Sequence, residues 1–146
     1  MSEFSIRKLT AQDLDAVVAI ETQITKGARI DLLRQNIAQH LEHGDPQACL
    51  AAESKGKVVG FIIGDARPWE FGAEETVAWI KIIGVDPEHQ GTGIGKALGE
   101  RLLEHFRNVG IKRVRTLSEW DSSDLVAYFK ALGFHRSDYI ALERKL

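Results

Sequence analysis

Three consecutive strand patterns in this chain are separated by gaps too short to hold a helix. Residues 48–54 and 57–66 flank a Lys55-Gly56 turn, and residues 76–85 follow after a short loop. Parallel neighbouring strands need a crossover of about a dozen residues or more, usually a helix. The sheet must therefore be mixed rather than all parallel, which places the chain among α/β folds whose antiparallel strands lie next to helical segments.

Helical patterns precede and follow these strands. Thr10 with Asp13 three residues later is typical of a capping box that opens a first helix, and Gly44 ends a second helix that begins near Ile30. A third helix is indicated by apolar residues that share one face: Ile94, Leu98, Leu102 and Phe106. We expect helices to flank the sheet.

Further strands are predicted near the two ends of the chain. Residues 4–9 read as a first strand and residues 112–120 as a fifth. Ser122 or Ser123 opens a short helix that ends at Gly133, and residues 134–146 are predicted to form a last strand or hairpin. The predicted order is βααβββαβαβ(β).

Composition predicts one globular domain over residues 1–146. The chain is 44% hydrophobic and 27% charged, with a net charge of −2. It therefore lacks the excess positive charge that is typical of proteins that bind nucleic acids or anionic membranes. Cys49 is the only cysteine, which excludes an intrachain disulfide. The amino-terminal residues lack the apolar core of a signal peptide. We expect a cytoplasmic protein.

Three glycines at alternate positions, Gly91, Gly93 and Gly95, stand just before the third helix. A helix amino terminus has about four unpaired N–H groups and partial positive charge, so a turn without side chains there favours a bound phosphate. A Walker loop is excluded because Gln90 replaces its first glycine and Ala97 its hydroxyl residue. The spacing also fails the dinucleotide G-x-G-x-x-G pattern. A flexible surface loop is the alternative.

The segment from Gln90 to Gly95 resembles the [Gln/Arg]-x-x-Gly-x-[Gly/Ala] motif of the GNAT superfamily of acyl-CoA N-acyltransferases. The preceding VDPEHQG, the downstream AYFKALGF over 127–134 and the first strand and helix are also similar to that family. The resemblance covers essentially the whole chain and is strongest over 76–134. It implies a single-domain GNAT-like α/β fold with a mixed, splayed sheet flanked by helices.

The resemblance also implies a site for acetyl-CoA. The coenzyme contacts it implies are Ile83, Val85, Gln90, Gly91, Thr92, Gly93, Ile94, Gly95, Ser122 and Phe129. Backbone amides of the glycine turn would hold the pyrophosphate, and the pantetheine arm would pair with the strand that ends at Val85. The Ile83 amide would stabilise the thioester oxyanion, and Gly84 would mark a bulge that splays this strand from the next.

Two residues depart from the family pattern on the leaving-group side. Phe129 stands where many members have the tyrosine that serves the thiolate, and Ser122 stands where an asparagine is common. Tyr128 is adjacent to Phe129 but about 100° away around a helix, so it is expected to point elsewhere. The usual general acid is therefore missing at its expected place.

The general base also has to be sought outside the usual positions. The positions of the family glutamates are Trp79 and Leu117 here, whereas Glu119 lies on the same strand face as Leu117, near the strand end. We expect Glu119 to act as the base, with a solvated strand-end carboxylate as the equal alternative. That solvated role is favoured for Glu75.

Other polar and aromatic groups carry weaker hypotheses. His40 and His43 share a helix face, but no third ligand accompanies them, so no metal site is predicted. Cys49 is expected in the core, and His89 near the phosphate loop is either a ribose-phosphate contact or a plain loop residue. The loop with Trp69, Glu70 and Phe71, or the segment Trp120-Asp121, could line the acceptor site.

The resemblance implies an enzyme that moves acetyl from acetyl-CoA to a primary amine by direct attack. The acceptor stays open between a protein lysine, a protein amino terminus and a small-molecule amine, and a homodimer is an option. The alternative hypothesis is a non-catalytic acyl-CoA-binding or sensing module, which Phe129 and the missing base keep open.

Overall fold

The computed structural model describes residues 3–25, 30–68, 76–118 and 123–146. Five strands and four helices lie in these ranges: β1 Ser5–Lys8, α1 Leu14–Thr25, α2 Ile30–His43, β2 Cys49–Ser54, β3 Lys57–Pro68, β4 Thr76–Val85, α3 Ile94–Asn108, β5 Val114–Thr116 and α4 Ser123–Ala131. Short 3₁₀ turns precede α1, β2 and the glycine turn. The predicted order is confirmed up to α4.

The strands form one sheet in the order β1-β2-β3-β4-β5. Neighbours from β1 to β4 are antiparallel, whereas β4 and β5 are parallel. This mixed sheet confirms the inference from the short gaps. The β2–β3 hairpin turns through Lys55 (φ 52°) and Gly56 (φ 77°), a pair of positive φ angles that suits the right-handed twist of the two strands.

A bulge in β4 lies at Lys81 rather than at Gly84. Ile63 pairs with Ile82 while Gly64 pairs with Ile80, so Lys81 is an extra residue in the ladder. The prediction of a bulge at Gly84 is wrong, because Gly84 pairs in register with Phe61. Glycine is needed there for space instead, since a Cβ at Gly84 would lie 2.6 Å from Cε1 of Phe61.

Two apolar cores cover the two faces of the sheet. The α3–α4 face contains Ala48, Leu50, Ala52, Val59, Ile62, Ala78, Ile80, Ile94, Leu98, Leu102, Phe106 and Phe129. The α1–α2 face contains Leu9, Val17, Ile20, Ile37, Cys49, Ala51, Val58, Phe61 and Ile63. Because successive strand residues point to opposite faces, each central strand contributes to both cores and is thereby fixed in register.

The entry to α1 is fixed by the predicted Thr10–Asp13 pair. The Asp13 carboxylate accepts a 2.8 Å hydrogen bond from the Thr10 backbone N–H, and the Asp13 N–H donates to the Thr10 carbonyl at 3.0 Å. Arg7 of β1 also forms an ion pair with Asp13 at 2.8 Å. The Arg7 hydrogen bond is the main reason why the pKa of Asp13 is lowered from its usual value.

The carboxyl-terminal prediction is wrong, because residues 134–146 contain no strand. A strand requires a neighbouring strand edge, and β5 offers only three residues of ladder. The segment meets β5 through side chains instead: the Arg115 guanidinium carbon lies 4.8 Å from the centre of the Tyr139 ring. Ile140 and Leu142 are left exposed. Of the strand predicted over 112–120, the part within the described residues forms a strand only at Val114–Thr116.

None of the helices within the described residues is long and apolar enough to cross a membrane.

Candidate functional site

The end of β4 has a free edge where the sheet divides. β5 pairs with β4 only at Ala78, Trp79 and Ile80, so no ladder with β5 covers the rest of β4 within the described residues. Ile83 and Val85 lie in this uncovered stretch. Main-chain groups on a free strand edge can pair with an extended molecule, as in strand addition. This edge therefore offers a binding surface for an amide-containing chain.

The turn after β4 is held by its own side chains. The Asp86 carboxylate accepts a 3.0 Å hydrogen bond from the Glu88 N–H, and the Asp86 N–H donates to the Val59 carbonyl at 2.8 Å. The Gln90 side-chain amide donates to the Val85 carbonyl at 3.3 Å. Gln90 thus ties the turn to the end of β4, which explains why the motif begins with a residue that can donate there.

The glycine turn presents bare backbone to solvent. Gly91 (φ 81°) and Gly93 (φ 88°) are left-handed, and nothing lies within 4 Å of the position that a Cβ would occupy at either residue. The Ala97 N–H donates to the Gly93 carbonyl at 3.0 Å, so the N–H groups of Ile94, Gly95 and Lys96 stand in the first turn of α3. Such N–H groups, with the positive end of the helix dipole, suit a phosphate.

Gly95 differs from the other two glycines because a side chain of α4 is hydrogen-bonded to its carbonyl. The Tyr128 hydroxyl donates to the Gly95 carbonyl at 2.6 Å, so α4 holds the first turn of α3 in place. The pKa of Tyr128 is raised above its ordinary value, mainly by burial and also by the charge of Glu100. Tyr128 therefore keeps its proton for this bond. This bond directs the Tyr128 hydroxyl to the start of α3, while its position relative to the leaving thiolate stays a prediction.

Phe129 belongs to the core on the α3–α4 face. Its side chain is only 7% exposed, and its ring contacts those of Tyr128 and Phe134 edge-on, with centroids 5.0 and 5.2 Å away. A hydroxyl is thus absent from this position, and the surroundings are apolar. A coenzyme contact at Phe129 stays a prediction.

Several predicted site residues lie outside the described residues. These are Glu119 and Ser122, the hypothetical acceptor residues Trp69, Glu70, Phe71, Trp120 and Asp121, and Glu75. Leu117, at the position of a family glutamate, is 75% exposed. Trp79 pairs in register with Asp65 of β3.

A buried carboxylate that the sequence analysis missed lies beside β4. Glu21 of α1 is 7% exposed, and its Oε1 would lie 3.1 Å from a Cβ at Gly84. Burial raises the pKa of Glu21 above its ordinary value. The sequence does carry a signal for it: Glu21 follows Leu14 and Val17 at helical spacing, so a carboxylate occupies the apolar face of α1. Gly84 follows Ile83 in β4, so the Glu21 carboxylate meets β4 one residue beyond Ile83.

The two histidines of α2 and the cysteine of β2 make ordinary structural contacts. His40 Nε2 lies 3.2 Å from the Gly64 carbonyl, and His43 lies 3.8 Å from the Glu42 carboxylate. Among the described residues, no group of three or more His, Cys, Asp or Glu side chains could hold a metal ion. Cys49 is buried, and burial raises the pKa of its thiol to about 11, so the core position predicted for it is confirmed.

His89 lies against the glycine turn, with Nδ1 3.5 Å from the Asp86 carboxylate. The Thr92 hydroxyl donates to the His89 carbonyl at 2.5 Å. These contacts link the 3₁₀ turn over Pro87–His89 to the glycine turn.

Comparison with known proteins agrees with this arrangement. The sequence model of the acetyltransferase (GNAT) family matches residues 14–134. A mycothiol acetyltransferase of Saccharomonospora viridis is 33% identical over 131 residues, which is 84% of this chain and 42% of that protein. One from Thermobispora bispora is 34% identical over 92 residues, 63% of this chain and 31% of that protein. The chain spans less than half the length of these curated relatives.

Solved structures share the fold over nearly the whole chain. Aminoglycoside N-acetyltransferase AAC(6')-Iy in complex with CoA superposes with a TM-score of 0.81 at 21% identity, covering 99% of this chain and 96% of that one. The ribosomal-protein-alanine N-acetyltransferase of Brucella melitensis biovar Abortus gives a TM-score of 0.76 at 18% identity and covers 99% of both chains. At these identities the likeness shows the fold, and it confirms the predicted single-sheet α/β architecture.

Proposed function

Because the chain belongs to the acetyltransferase (GNAT) family, we propose that it transfers an acetyl group from acetyl-CoA to a primary amine by direct attack. The observation that carries the proposal is the continuity of two surfaces. The uncovered end of β4 is followed, after one 3₁₀ turn over Pro87–His89, by a glycine turn with exposed Gly91 and Gly93 at the start of α3. One surface suits an amide-containing arm, and the other suits its phosphates.

Each part of acetyl-CoA has a proposed partner. The pyrophosphate binds the N–H groups from Gly91 to Gly95, with Thr92 and Ile94 in that turn and Gln90 at its base. The pantetheine amides pair with the β4 edge at Ile83 and Val85. Ser122 and Phe129 are proposed contacts on the opposite side, toward the thioester. No metal is involved in this proposal.

The reaction follows from this placement. The amine nitrogen attacks the thioester carbonyl carbon and forms the new C–N bond, while the Ile83 N–H stabilises the oxyanion. Collapse of the tetrahedral intermediate breaks the C–S bond and releases the thiolate of CoA. The amine arrives as an ammonium ion and gives one proton to a base before it attacks, so the nitrogen of the tetrahedral intermediate has a second proton to lose while the departing thiolate gains one. With Phe129 in place of a phenol, that second proton comes from the ammonium of the intermediate or from water.

Two carboxylates are candidates for the base. Glu119 is proposed from the sequence, where it shares strand parity with Leu117, and Glu21 is supported by its burial beside Gly84, one residue from Ile83. A carboxylate with a raised pKa is a stronger base, which favours proton transfer from an ammonium. The base is the residue whose glutamine variant loses about 10²–10⁴-fold in turnover and recovers part of it at high pH.

The Glu21→Gln variant can distinguish a role of Glu21 in packing from a role in the reaction. A buried carboxylate with a raised pKa destabilises the fold as pH rises through that pKa, because its charged form is poorly solvated. Glu21→Gln removes this cost, so the variant should be more stable than wild type at neutral pH. Lower turnover in a more stable variant would assign Glu21 to the reaction rather than to packing.

The decisive experiment for the activity is a screen for free thiol. Acetyl-CoA is incubated with primary amines that include a lysine peptide, a peptide amino terminus and small amines, and thiol release is followed together with the mass of the acetylated amine. Steady turnover supports the enzyme. The alternative, a non-catalytic acyl-CoA-binding module, is favoured by the apolar surroundings of Phe129, and it predicts acetyl-CoA binding without any acetylated product.

The acceptor and the assembly state belong to the same proposal. Relatives are named mycothiol acetyltransferases, but this chain spans less than half of their length, so we infer only an amine acceptor here. We also propose a cytoplasmic protein, and a homodimer that would cover exposed Ile140 and Leu142. Sedimentation of wild type and an Ile140→Lys variant tests the dimer: loss of dimer in the variant supports it.

A further inference from the structure

A cavity of about 680 Å³ lies between α2 and the central strands, on the α1–α2 face of the sheet. Its volume is within the range of about 300–1,000 Å³ that is usual for small-molecule sites. Leu33 and Ile37 of α2 form its apolar wall, and Ile63 of β3 and Ile82 of β4 form its floor. The cavity is therefore built on regular elements rather than on loops.

Polar groups surround this apolar floor. Asn36, Gln39, His40 and His43 lie at helical spacing on one face of α2 and line the cavity. Asp65 of β3 and Lys81, the bulged residue of β4, line it from the sheet. The rim thus combines two amides, two imidazoles, one carboxylate and one ammonium group.

The cavity adjoins the proposed reaction centre. Lys81 and Ile82 line it, and the next residue of β4 is Ile83, whose N–H is proposed to hold the thioester oxygen. Asp65 lies three positions along β3 from Ile62, the partner of Ile83. At roughly 3.3 Å per residue, Asp65 is about 10 Å from that pair. It is therefore too far to take the proton of the reacting amine, but it can hold a distant part of the same acceptor.

We propose that this cavity binds the amine acceptor, and that the acceptor is a small primary amine carrying several hydroxyl groups, such as an amino sugar. The inference rests on the proposed function. A ring with an apolar face and hydroxyl edges matches an apolar floor with amides, imidazoles and a carboxylate around it, because each hydroxyl both donates and accepts. A polyamine matches it poorly, since the lining holds one carboxylate and one ammonium group, which together offer little compensation for several further ammonium groups.

The test combines binding and turnover with three named amines. D-glucosamine, spermidine and cyclohexylamine are titrated calorimetrically into the protein saturated with CoA, and each is also assayed for thiol release with acetyl-CoA. We expect glucosamine to bind, and its kcat/KM to exceed those of the other two by at least about tenfold, the effect of one or two net hydrogen bonds.

Matched variants assign the binding to the cavity. Gln39→Ala removes a lining amide, whereas Gln35→Ala makes the same change on the same helix outside the lining. Asp65→Asn removes the charge from the rim. We expect Gln39→Ala and Asp65→Asn to raise the KM for glucosamine about tenfold or more, with the KM for acetyl-CoA unchanged, and Gln35→Ala to behave as wild type.

The outcomes separate this inference from the proposed function. Turnover of spermidine or cyclohexylamine in preference to glucosamine overturns the acceptor class while the acetyltransferase stands. Equal effects of Gln39→Ala and Gln35→Ala overturn the location. If no amine is acetylated, the proposed function fails, and the cavity is judged by calorimetry alone: glucosamine binding that Asp65→Asn weakens supports it, and absence of binding refutes it.

Discussion

Replacing Gly99 by alanine should loosen the contact between α3 and α4. A Cβ at Gly99 would lie 2.5 Å from the Tyr128 hydroxyl oxygen and 2.6 Å from Cδ1 of Leu132. Atoms cannot stay at such distances, so one of the two side chains must move. Tyr128 cannot move without losing its 2.6 Å hydrogen bond to the Gly95 carbonyl, which fixes the first turn of α3.

The expected cost follows from three opposing terms. Alanine is favoured over glycine in a helix interior by roughly 1 kcal/mol. Overpacking of a tight contact costs typically about 1–3 kcal/mol, and loss of the tyrosine hydrogen bond costs about 1 kcal/mol. The free energy of unfolding should therefore fall by about 1–3 kcal/mol, which lowers Tm by roughly 3–9 °C for a chain of this size.

Gly95→Ala is the matched control on the same helix. A Cβ at Gly95 would lie 3.4 Å from Cε1 of Tyr128, an ordinary van der Waals distance. This variant should keep or gain stability, and urea and thermal unfolding of both proteins measure the difference. A Gly99→Ala variant that melts at or above the wild-type temperature would refute the argument, as would an equal loss in Gly95→Ala.

Three further predictions address the site and the fold. Gly93→Val forces a β-branched residue into a left-handed turn (φ 88°), so it should remove the rise in Tm that acetyl-CoA gives the wild type, while circular dichroism stays unchanged; a normal rise would place the phosphates elsewhere. Phe129→Tyr supplies a phenol for the leaving thiolate, so kcat should be preserved or raised in the thiol assay, and a large loss with intact coenzyme affinity would contradict the match. The lowered pKa of Asp13 means that its pairing with Arg7 stabilises the fold above the usual aspartate pKa and is lost as pH falls through the lowered value. Urea unfolding of wild type and Asp13→Asn should therefore differ at neutral pH and converge in acid, and a constant difference would count against the ion pair.

The elements that the sequence predicted well are those with a local cause. The hairpin at Lys55-Gly56, the Thr10–Asp13 pairing and the glycine turn each depend on backbone conformations or hydrogen bonds within a few residues. The same holds for α3, whose apolar stripe appears in full as buried residues. Such features are visible in one sequence because the interacting groups are neighbours in it.

The features that the sequence missed depend on pairing between distant segments. The bulge at Lys81 arises from the register of β3 against β4. No residue type in β4 indicates that register. A glycine within a strand often marks a bulge, which is why the sequence predicts one at Gly84. The glycine is needed there instead because the Phe61 ring on the neighbouring strand leaves no room for a side chain. The importance of Glu21 likewise depends on α1 lying over that glycine.

The carboxyl-terminal segment also shows that a strand-like sequence pattern does not determine strand pairing. Alternating apolar residues such as Ile140 and Leu142 are typical of a strand, but a strand forms only when an edge is available to pair with it. β5 provides three residues and a side-chain contact through Arg115, so the pattern alone was insufficient.

The backbone amides of β4 and of the glycine turn provide the most direct test of the account. In an amide NMR titration with acetyl-CoA, we predict large shifts for Ile83 and for Gly91 to Gly95, whereas amides of β1, which is separated from β4 by two strands of the sheet, should stay in place. Saturable shifts confined to those residues would support coenzyme binding along the free strand edge and the start of α3. Saturable binding that leaves Ile83 and the glycine amides unperturbed would contradict it.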